Sequence, residues 1–376
     1  MSLKKFIQAE TERLGFTLSG AARVEPPLHL STYEQWIDSG LHAGMGYLAT
    51  ERAMERRANP AVIQPEARSL LVVALPYHSP ASIPDSQANE AAGRVAAYAW
   101  GDDYHDIIPP RLQELGEALE KHLGRAIRQR PYTDTGPILE RDFAQTAGLG
   151  WIGKNTCLIS PRHGSYFLLG ETFVDVEIEP DDPLTTDHCG TCTRCIEACP
   201  TGCIRPDRTI DSSRCISYLT IENKGEIPTE LREKTGDWVF GCDICQMVCP
   251  WNLRFAKPEG DPALAPRPGI PRPVLREELR LTPQEFNRKF KGSPIQRARR
   301  RGYLRNVAVA LGNQQDTSTV HDLAETLLNE PEPLVRAHAA WALGRINTLL
   351  ARQTLEKALR QEPDPQVANE IRSALG

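Results

Sequence analysis

Residues 189–200 read Cys189-Gly-Thr-Cys192-Thr-Arg-Cys195-Ile-Glu-Ala-Cys199-Pro200, four cysteines at the spacing C-x2-C-x2-C-x3-C-P. Three thiolates this close in sequence can wrap one iron–sulfur cubane, while the fourth, followed by proline, reaches a second one. The competing reading is a structural zinc site. Zinc takes paired C-x2-C arms and has no use for a third cysteine at that spacing, so the run is read as iron–sulfur. Further along, Val239-Phe-Gly-Cys242-Asp-Ile-Cys245-Gln-Met-Val-Cys249-Pro250 repeats the template with Val239 in place of the first cysteine. Two [4Fe-4S] clusters need eight thiolates and the two runs hold seven, which leaves Cys203, Cys215 or Cys157 as the eighth. Cys215 is chosen. It stands in its own segment, whereas Cys203 follows Cys199 so closely that it would compete for the same cluster edge, and Cys157 is distant enough to be a small buried hydrophobe. The cross-over rule then assigns Cys189, Cys192, Cys195 and Cys249 to one cubane and Cys199, Cys215, Cys242 and Cys245 to the other. Such a pair is a one-electron wire, and some other site must use the electrons.

The composition agrees with a redox protein of ordinary globular type. The chain has 376 residues, 40% hydrophobic and 25% charged, enough for two to three domains that each bury a core. No apolar run approaches about 18 residues, so no transmembrane helix is expected. The first residues, MSLKKFIQAETERLGF, space Leu3, Phe6, Ile7 and Leu14 as an amphipathic helix and lack the apolar block of a signal peptide. The expectation is a soluble, cytoplasmic protein, where cysteines serve metal more often than disulfides. A formal charge of -5 gives no sign of nucleic-acid binding from composition alone.

The fold class expected is α+β in several parts. Residues 1–180 mix strand and helix patterns. Ser69 to Leu75 is a short β-branched apolar run, and Val174, Val176 and Ile178 alternate with acids, so both read as strands. Pro109 and Pro110 suit a helix start, with Leu112, Leu115, Leu119 and His122 at helical spacing until Gly124. Residues 181–256 hold every cysteine but Cys157 and read as a ferredoxin-like two-cluster domain. Residues 257–284 begin with a proline-rich stretch that reads as an extended surface connection and a domain boundary.

Residues 285–376 carry a basic segment and then a repeat. Leu311-Gly312, Leu343-Gly344 and Leu375-Gly376 recur at a period of 32, and Pro331, Pro333 and Val335 recur at Pro363, Pro365 and Val367. Each unit contains an Ala-rich helix that glycine is expected to stop, and the whole resembles short HEAT-like all-α repeats. From Arg288 to Arg305 there are eight Lys or Arg and no acid. Interleaved with Phe290 and Tyr303, the segment suits RNA phosphates and bases, so Lys289, Lys291, Arg297, Arg299, Arg300, Arg301 and Arg305 are expected to bind RNA. One decoy is set aside. Gly148-Leu-Gly150-Trp-Ile-Gly153 spells a dinucleotide fingerprint but follows a helical pattern and not a strand, so no nicotinamide site is expected.

Several motifs in order along the chain resemble the epoxyqueuosine reductases. They are Trp100-Gly-Asp-Asp-Tyr-His105, Tyr132-Thr-Asp-Thr-Gly136 with Glu140-Arg141, Ala147-Gly-Leu-Gly-Trp-Ile-Gly-Lys-Asn155, Arg214-Cys-Ile-Ser-Tyr-Leu-Thr220 and Gly241-Cys-Asp-Ile-Cys-Gln-Met-Val-Cys-Pro-Trp251. The resemblance implies reduction of epoxyqueuosine to queuosine at the wobble position of tRNA, by cobalamin (B12) chemistry fed by two [4Fe-4S] clusters. It implies a layered α/β cobalamin-binding catalytic domain at 1–180, similar to that of reductive dehalogenases. It also makes Asp134 the proton donor and Arg57, Lys154, Asn155, Ser217 and Asp243 the cofactor contacts. A D-x-H-x-x-G cobalamin motif is absent from the sequence, because Asp103-Tyr-His105 lacks the glycine. A monomer with an unidentified electron donor completes the expectation. The other readings are a small-molecule reductase of dehalogenase type and a polyferredoxin carrier; neither needs both a large N-terminal domain and a basic strip with repeats.

Overall fold

The computed structural model describes residues 2–82 and 91–376. Its strands, in chain order, are β1 (Leu18–Ala22), β2 (Ser69–Pro76), β3 (Arg94–Val95), β4 (Gln129–Tyr132), β5 (Trp151–Ile152), β6 (Leu158–Ile159), β7 (Phe167–Val174) and β8 (Trp238–Phe240). The chain divides into two compact units, each assembled from separated stretches: one from Met1–Ser82, Gly101–Ser213 and Ile244–Ala265, the other from Ile83–Trp100, Arg214–Asp243 and Pro266–Gly376. The contiguous segmentation read from the sequence does not follow these units. Among the described residues no helix is long and apolar enough to cross a membrane.

The first unit is built on a four-stranded antiparallel sheet in the order β1-β2-β7-β4. β2 is the apolar run anticipated from Ser69 to Leu75, and it is buried on both faces because helices cover both. Helix Ile108–Leu123 lies on one face, with Leu112, Leu115 and Leu119 buried and Gly124 in the left-handed conformation, φ 65°, ending it. Gly170 of β7 lets that helix approach, since a Cβ there would stand 2.4 Å from Ile108. On the other face Phe143 and Ala144 of helix Glu140–Thr146 join Leu70, Val72, Ala74 and Phe173. The strand expected through Ile178 stops at Val174. Both neighbouring strands run out of partners there, since Val174 pairs with Ser69 and with Gln129 at their ends. Val176 and Ile178 stay buried off the ladder, and the Ile178 N–H donates to Ser69 Oγ at 2.9 Å.

The proline-rich stretch is partly packed, contrary to the reading of a surface connection. Asp261 accepts two hydrogen bonds from the Arg111 guanidinium at 2.6 and 2.9 Å, and Leu264 is buried.

In the second unit β3 pairs in parallel with β8. The helices Arg299–Gln314, Val320–Asn329, Pro333–Ile346, Leu349–Leu359 and Pro365–Leu375 form the repeats. The repeated glycines do a different job from the one expected. Gly312 and Gly344 lie inside their helices, which run on to Gln314 and Ile346 and end at Gln315 and Asn347 in the left-handed region. A Cβ on Gly312 would stand 2.6 Å from Trp341 Cζ3 and 2.9 Å from Ala342 Cα, and one on Gly344 2.7 Å from Ala374 Cβ. The 32-residue period thus marks where successive helices cross at close range. Gly312→Ala is expected to lower stability by roughly 1–3 kcal/mol through overpacking. Gly302→Ala, whose Cβ would meet only Ala298 at 3.9 Å, should be neutral or slightly stabilising, a contrast that thermal unfolding can read.

Candidate iron–sulfur and acid sites

Among the described residues no disulfide joins any of the ten cysteines. In the first unit Cys189, Cys192 and Cys195 sit on a loop and the short helix Arg194–Ala198, with Cys199 at the end of that helix. The loop is held from below. Lys154 Nζ donates to the carbonyls of Gly190 and Cys192 at 2.7 and 2.9 Å, and Asp187 accepts the Cys189 N–H at 2.8 Å while paired with Arg208 at 2.6 Å. Cys249 caps helix Pro250–Phe255 and packs with Trp151, Ile159, Trp251 and Cys189. Burial raises the thiols of Cys195 and Cys249, each of which also feels Cys189 nearby. The chain therefore returns Cys249, more than fifty residues on, to the loop of the first run.

Of the second quartet, Cys199 and Cys245 belong to the first unit, where helices Arg194–Ala198 and Ile244–Met247 pack together. Cys215 and Cys242 belong to the second. Cys215 caps helix Ile216–Ile221, which packs on β8, and the Gly241 N–H donates to Thr220 Oγ1 at 2.9 Å, tying the Cys242 loop to that helix. Cys203 Sγ lies 3.4 Å from Cys199 Sγ. Among the described residues no group of three or more His, Cys, Asp or Glu forms a single-ion site. The donor set is made of thiolates, the soft ligands that iron–sulfur clusters take.

The basic segment needs correction. Arg305 is fully buried and donates to the carbonyls of Leu219, Asn223 and Gly225, while Asn306 ties the carbonyls of Thr220 and Val239 at 2.8 Å each. Desolvation brings the Arg305 guanidinium down to about 9. This arginine clamps the Cys215 helix and is out of reach of RNA. Arg300 is mostly buried in a two-pronged pair with Glu330 at 2.7 and 2.8 Å, and Lys289 pairs with the buried Glu278. Phe290 and Tyr303 are core residues. A basic run folded into helices divides by face, and part of it turns inward. Lys291, Arg297, Arg299 and Arg301 remain exposed, although Arg297 pairs with Glu222.

The acid site forms where the turn after β4 meets helix Glu140–Thr146. Asp134 has φ 56°, and its side chain is 64% exposed. Tyr104 donates to its Oδ2 at 3.0 Å, and His105 Nε2 stands 3.6 Å from the same oxygen. His105 Nδ1 lies 2.7 Å from Asp103, and the two carboxylates raise the imidazole to about 9. Tyr104 and His105 were missed as site residues. Their signal was in the chain as the D-x-H of a cobalamin motif without its glycine. Glu140 and Glu171 were missed too; Glu171 is completely buried and Glu140 half-buried beside this turn, and desolvation raises both carboxyls, helped by the charge of Asp134 at Glu140 and by that of Glu140 at Glu171.

The five residues carried over for the corrin lie in both units: Arg57, Lys154 and Asn155 in the first, Ser217 and Asp243 in the second. Arg57 stands over the Tyr33 ring at 5.6 Å. Asp243 is buried and accepts the Ala97 N–H at 2.6 Å. Asn155 is 3% exposed and its Nδ2 is buried without a hydrogen-bond partner, a donor that fits the amide-bearing rim of a corrin.

A double set of cluster thiolates in a chain that also presents an aspartate held by a tyrosine hydroxyl beside a histidine defines an iron–sulfur oxidoreductase. Family models match residues 57–135 as "Epoxyqueuosine reductase QueG, DUF1730", 188–252 as a 4Fe-4S double cluster binding domain, and 297–376 as HEAT repeats. The epoxyqueuosine reductase of Pseudomonas aeruginosa is 40% identical over 334 residues, 88% of this chain and 91% of that protein. A solved epoxyqueuosine reductase holding an epoxyqueuosine-modified tRNA-Tyr stem loop matches with a TM-score of 0.89 at 33% identity, covering 99% of this chain and 98% of that one. The Bacillus subtilis enzyme matches equally, in a structure whose Asp134 catalytic loop is swung out of the active site. The chain belongs to the epoxyqueuosine reductase family.

Proposed function

We propose that this chain reduces the cyclopentane epoxide of epoxyqueuosine to the alkene of queuosine in tRNA, acting as a cytoplasmic monomer that draws electrons from a separate donor. The observation that carries the reading is the family match over nearly the whole chain, joined to the placement of Asp134 between Tyr104 and His105. The reaction takes two electrons and two protons and releases water. Cys189, Cys192, Cys195 and Cys249 would ligate one cluster and Cys199, Cys215, Cys242 and Cys245 the other. These clusters supply single electrons at low potential, and a bound cobalamin supplies the strongly reducing centre that the carbon–oxygen bond requires. Arg57, Lys154, Asn155, Ser217 and Asp243 would hold the corrin, with Asn155 offering it a buried N–H. Asp134 holds the proton for the departing oxygen. Tyr104 and His105 fix its carboxyl, and substrate closing over it removes the water that now reaches it. Incubation of the reduced protein with epoxyqueuosine-containing tRNA should lower the mass of the modified nucleoside by one oxygen; an unchanged nucleoside would sink the reading.

The exposed part of the basic segment is proposed to meet the tRNA backbone. Replacing Lys291, Arg299 and Arg301 together by Ala should weaken tRNA binding and flatten its dependence on salt by roughly 0.7–0.9 in log–log slope for each phosphate that is no longer neutralised. Arg300→Ala should behave differently. It leaves Glu330 buried without its partner and should cost roughly 3 kcal/mol of stability. Equal salt slopes for the triple variant and the wild type would make the segment a mere linker.

A further inference from the structure

Glu171 lies in β7 beside Val72 of β2 and Tyr132 of β4, on the sheet face that Phe173 shares, and is completely buried. Glu140 opens the helix packed on that face. The two carboxyls are within hydrogen-bonding reach of each other. As a carboxylate Glu171 would have no donor at either oxygen and Glu140 none at Oε1, since all three atoms are buried without a partner. Two acceptors can bond to one another only when at least one carries a proton, and two adjoining carboxyls away from water do not both ionise. Glu140 also accepts the backbone N–H of Asp134. The charged groups facing the pair are Asp134 and Arg141, while β2 presents only Leu70, Val72 and Ala74. A buried acid pair so joined to the turn that carries the proton donor is more than a packing accident, since Gln and Leu would fill the same space at lower desolvation cost.

Reduction of an epoxide to an alkene and water consumes two protons, and Asp134 carries one. We propose that Glu140 and Glu171 form a proton-relay pair that keeps the second proton of each turnover and passes it through Glu140 to Asp134. The inference rests on the epoxide-reducing function above. The Asp134 O–H would break and its proton go to the epoxide oxygen as the carbon–oxygen bonds break with the two electrons that the bound cofactors would supply. The Glu140 O–H then breaks and its proton restores Asp134, which delivers it to complete water. The proton of Glu171 is afterwards shared across the pair, which holds one negative charge until Asp134, open to solvent once product leaves, refills it. Glu140 and Glu171 touch no substrate and act only through Asp134.

Glu171→Gln in the cluster-loaded enzyme is the test, because Gln keeps the shape and gives Glu140 an N–H donor in place of a shared proton. The wild type should show a carboxylic-acid carbonyl band in the infrared at neutral pH, and the variant should lose it. The single-turnover rate at saturating tRNA should fall about tenfold at alkaline pH and less at acid pH, so that the alkaline limb of the profile moves down by about one pH unit. Glu140→Gln should shift the same limb, and tRNA affinity and iron content should hold in both variants. An absent band in the wild type overturns the neutral pair. Profiles of both variants superimposed on the wild type overturn the relay. A wild type that keeps the band yet reduces no epoxyqueuosine overturns the substrate reading and the relay with it.

Discussion

Asp134→Asn is expected to lower single-turnover epoxide reduction by about 10²–10⁴-fold while leaving iron content and tRNA affinity near wild type. Asn keeps the volume of the side chain and still accepts the Tyr104 O–H, which donates to Oδ2 at 3.0 Å, but it has no proton to give. The epoxide oxygen leaves poorly as an alkoxide, so the loss should fall on the chemical step and not on binding. The turn itself tolerates the change. Asn enters the left-handed region as readily as Asp, so φ 56° at this position adds no strain. A variant that keeps more than about a tenth of the wild-type rate would remove Asp134 from the acid role, since that is less than the smallest effect of a lost general acid.

Cys215→Ala should take the iron content of anaerobically purified protein from about eight to about four and stop turnover, because the electron path then lacks one of its two clusters. Cys203→Ala should leave both clusters in place. Its Sγ lies 3.4 Å from that of Cys199, and under the proposed assignment its loss removes a neighbour of a ligand and not a ligand. Iron and sulfide analysis of the two variants side by side decides between them. Eight irons in Cys215→Ala together with four in Cys203→Ala would reverse the choice of eighth thiolate.

What was legible in the sequence was what local chemistry imposes. Cysteine spacing pointed to two clusters because cluster geometry demands that spacing. The proline pair and Gly124 bounded a helix because both act on backbone torsions within a few residues. The failures all involve partners far along the chain. Arg305 read as an RNA contact because its three carbonyl acceptors lie some eighty residues earlier. Glu171 passed unnoticed because an acid in a strand usually faces water, and the helix starting at Glu140, packed on β7, is remote from it in sequence. Gly312 read as a helix stop because glycine commonly is one, and the Trp341 ring that requires it belongs to the next repeat. Tyr104 and His105 were quoted as motif residues, but their role needs the turn at Asp134 folded against them.

The parallel pairing of β3 with β8 bears on how the chain is made. Arg94, in β3, hydrogen-bonds through Nε to Asp237 at 2.8 Å across 143 residues of sequence. At the ribosome's pace of about 5–20 residues per second, the earlier strand waits roughly 7 to 30 s for its partner to be synthesised. Throughout that interval Val95 and the apolar Ala96-Ala97 that follow are exposed on the nascent chain. A gene cut anywhere between these strands leaves each half with one unpaired edge, so expression of the N-terminal portion alone should yield aggregates. Trigger-factor-type chaperones, which cover apolar nascent segments, should raise the yield of the full-length protein more than that of a chain whose strands pair locally.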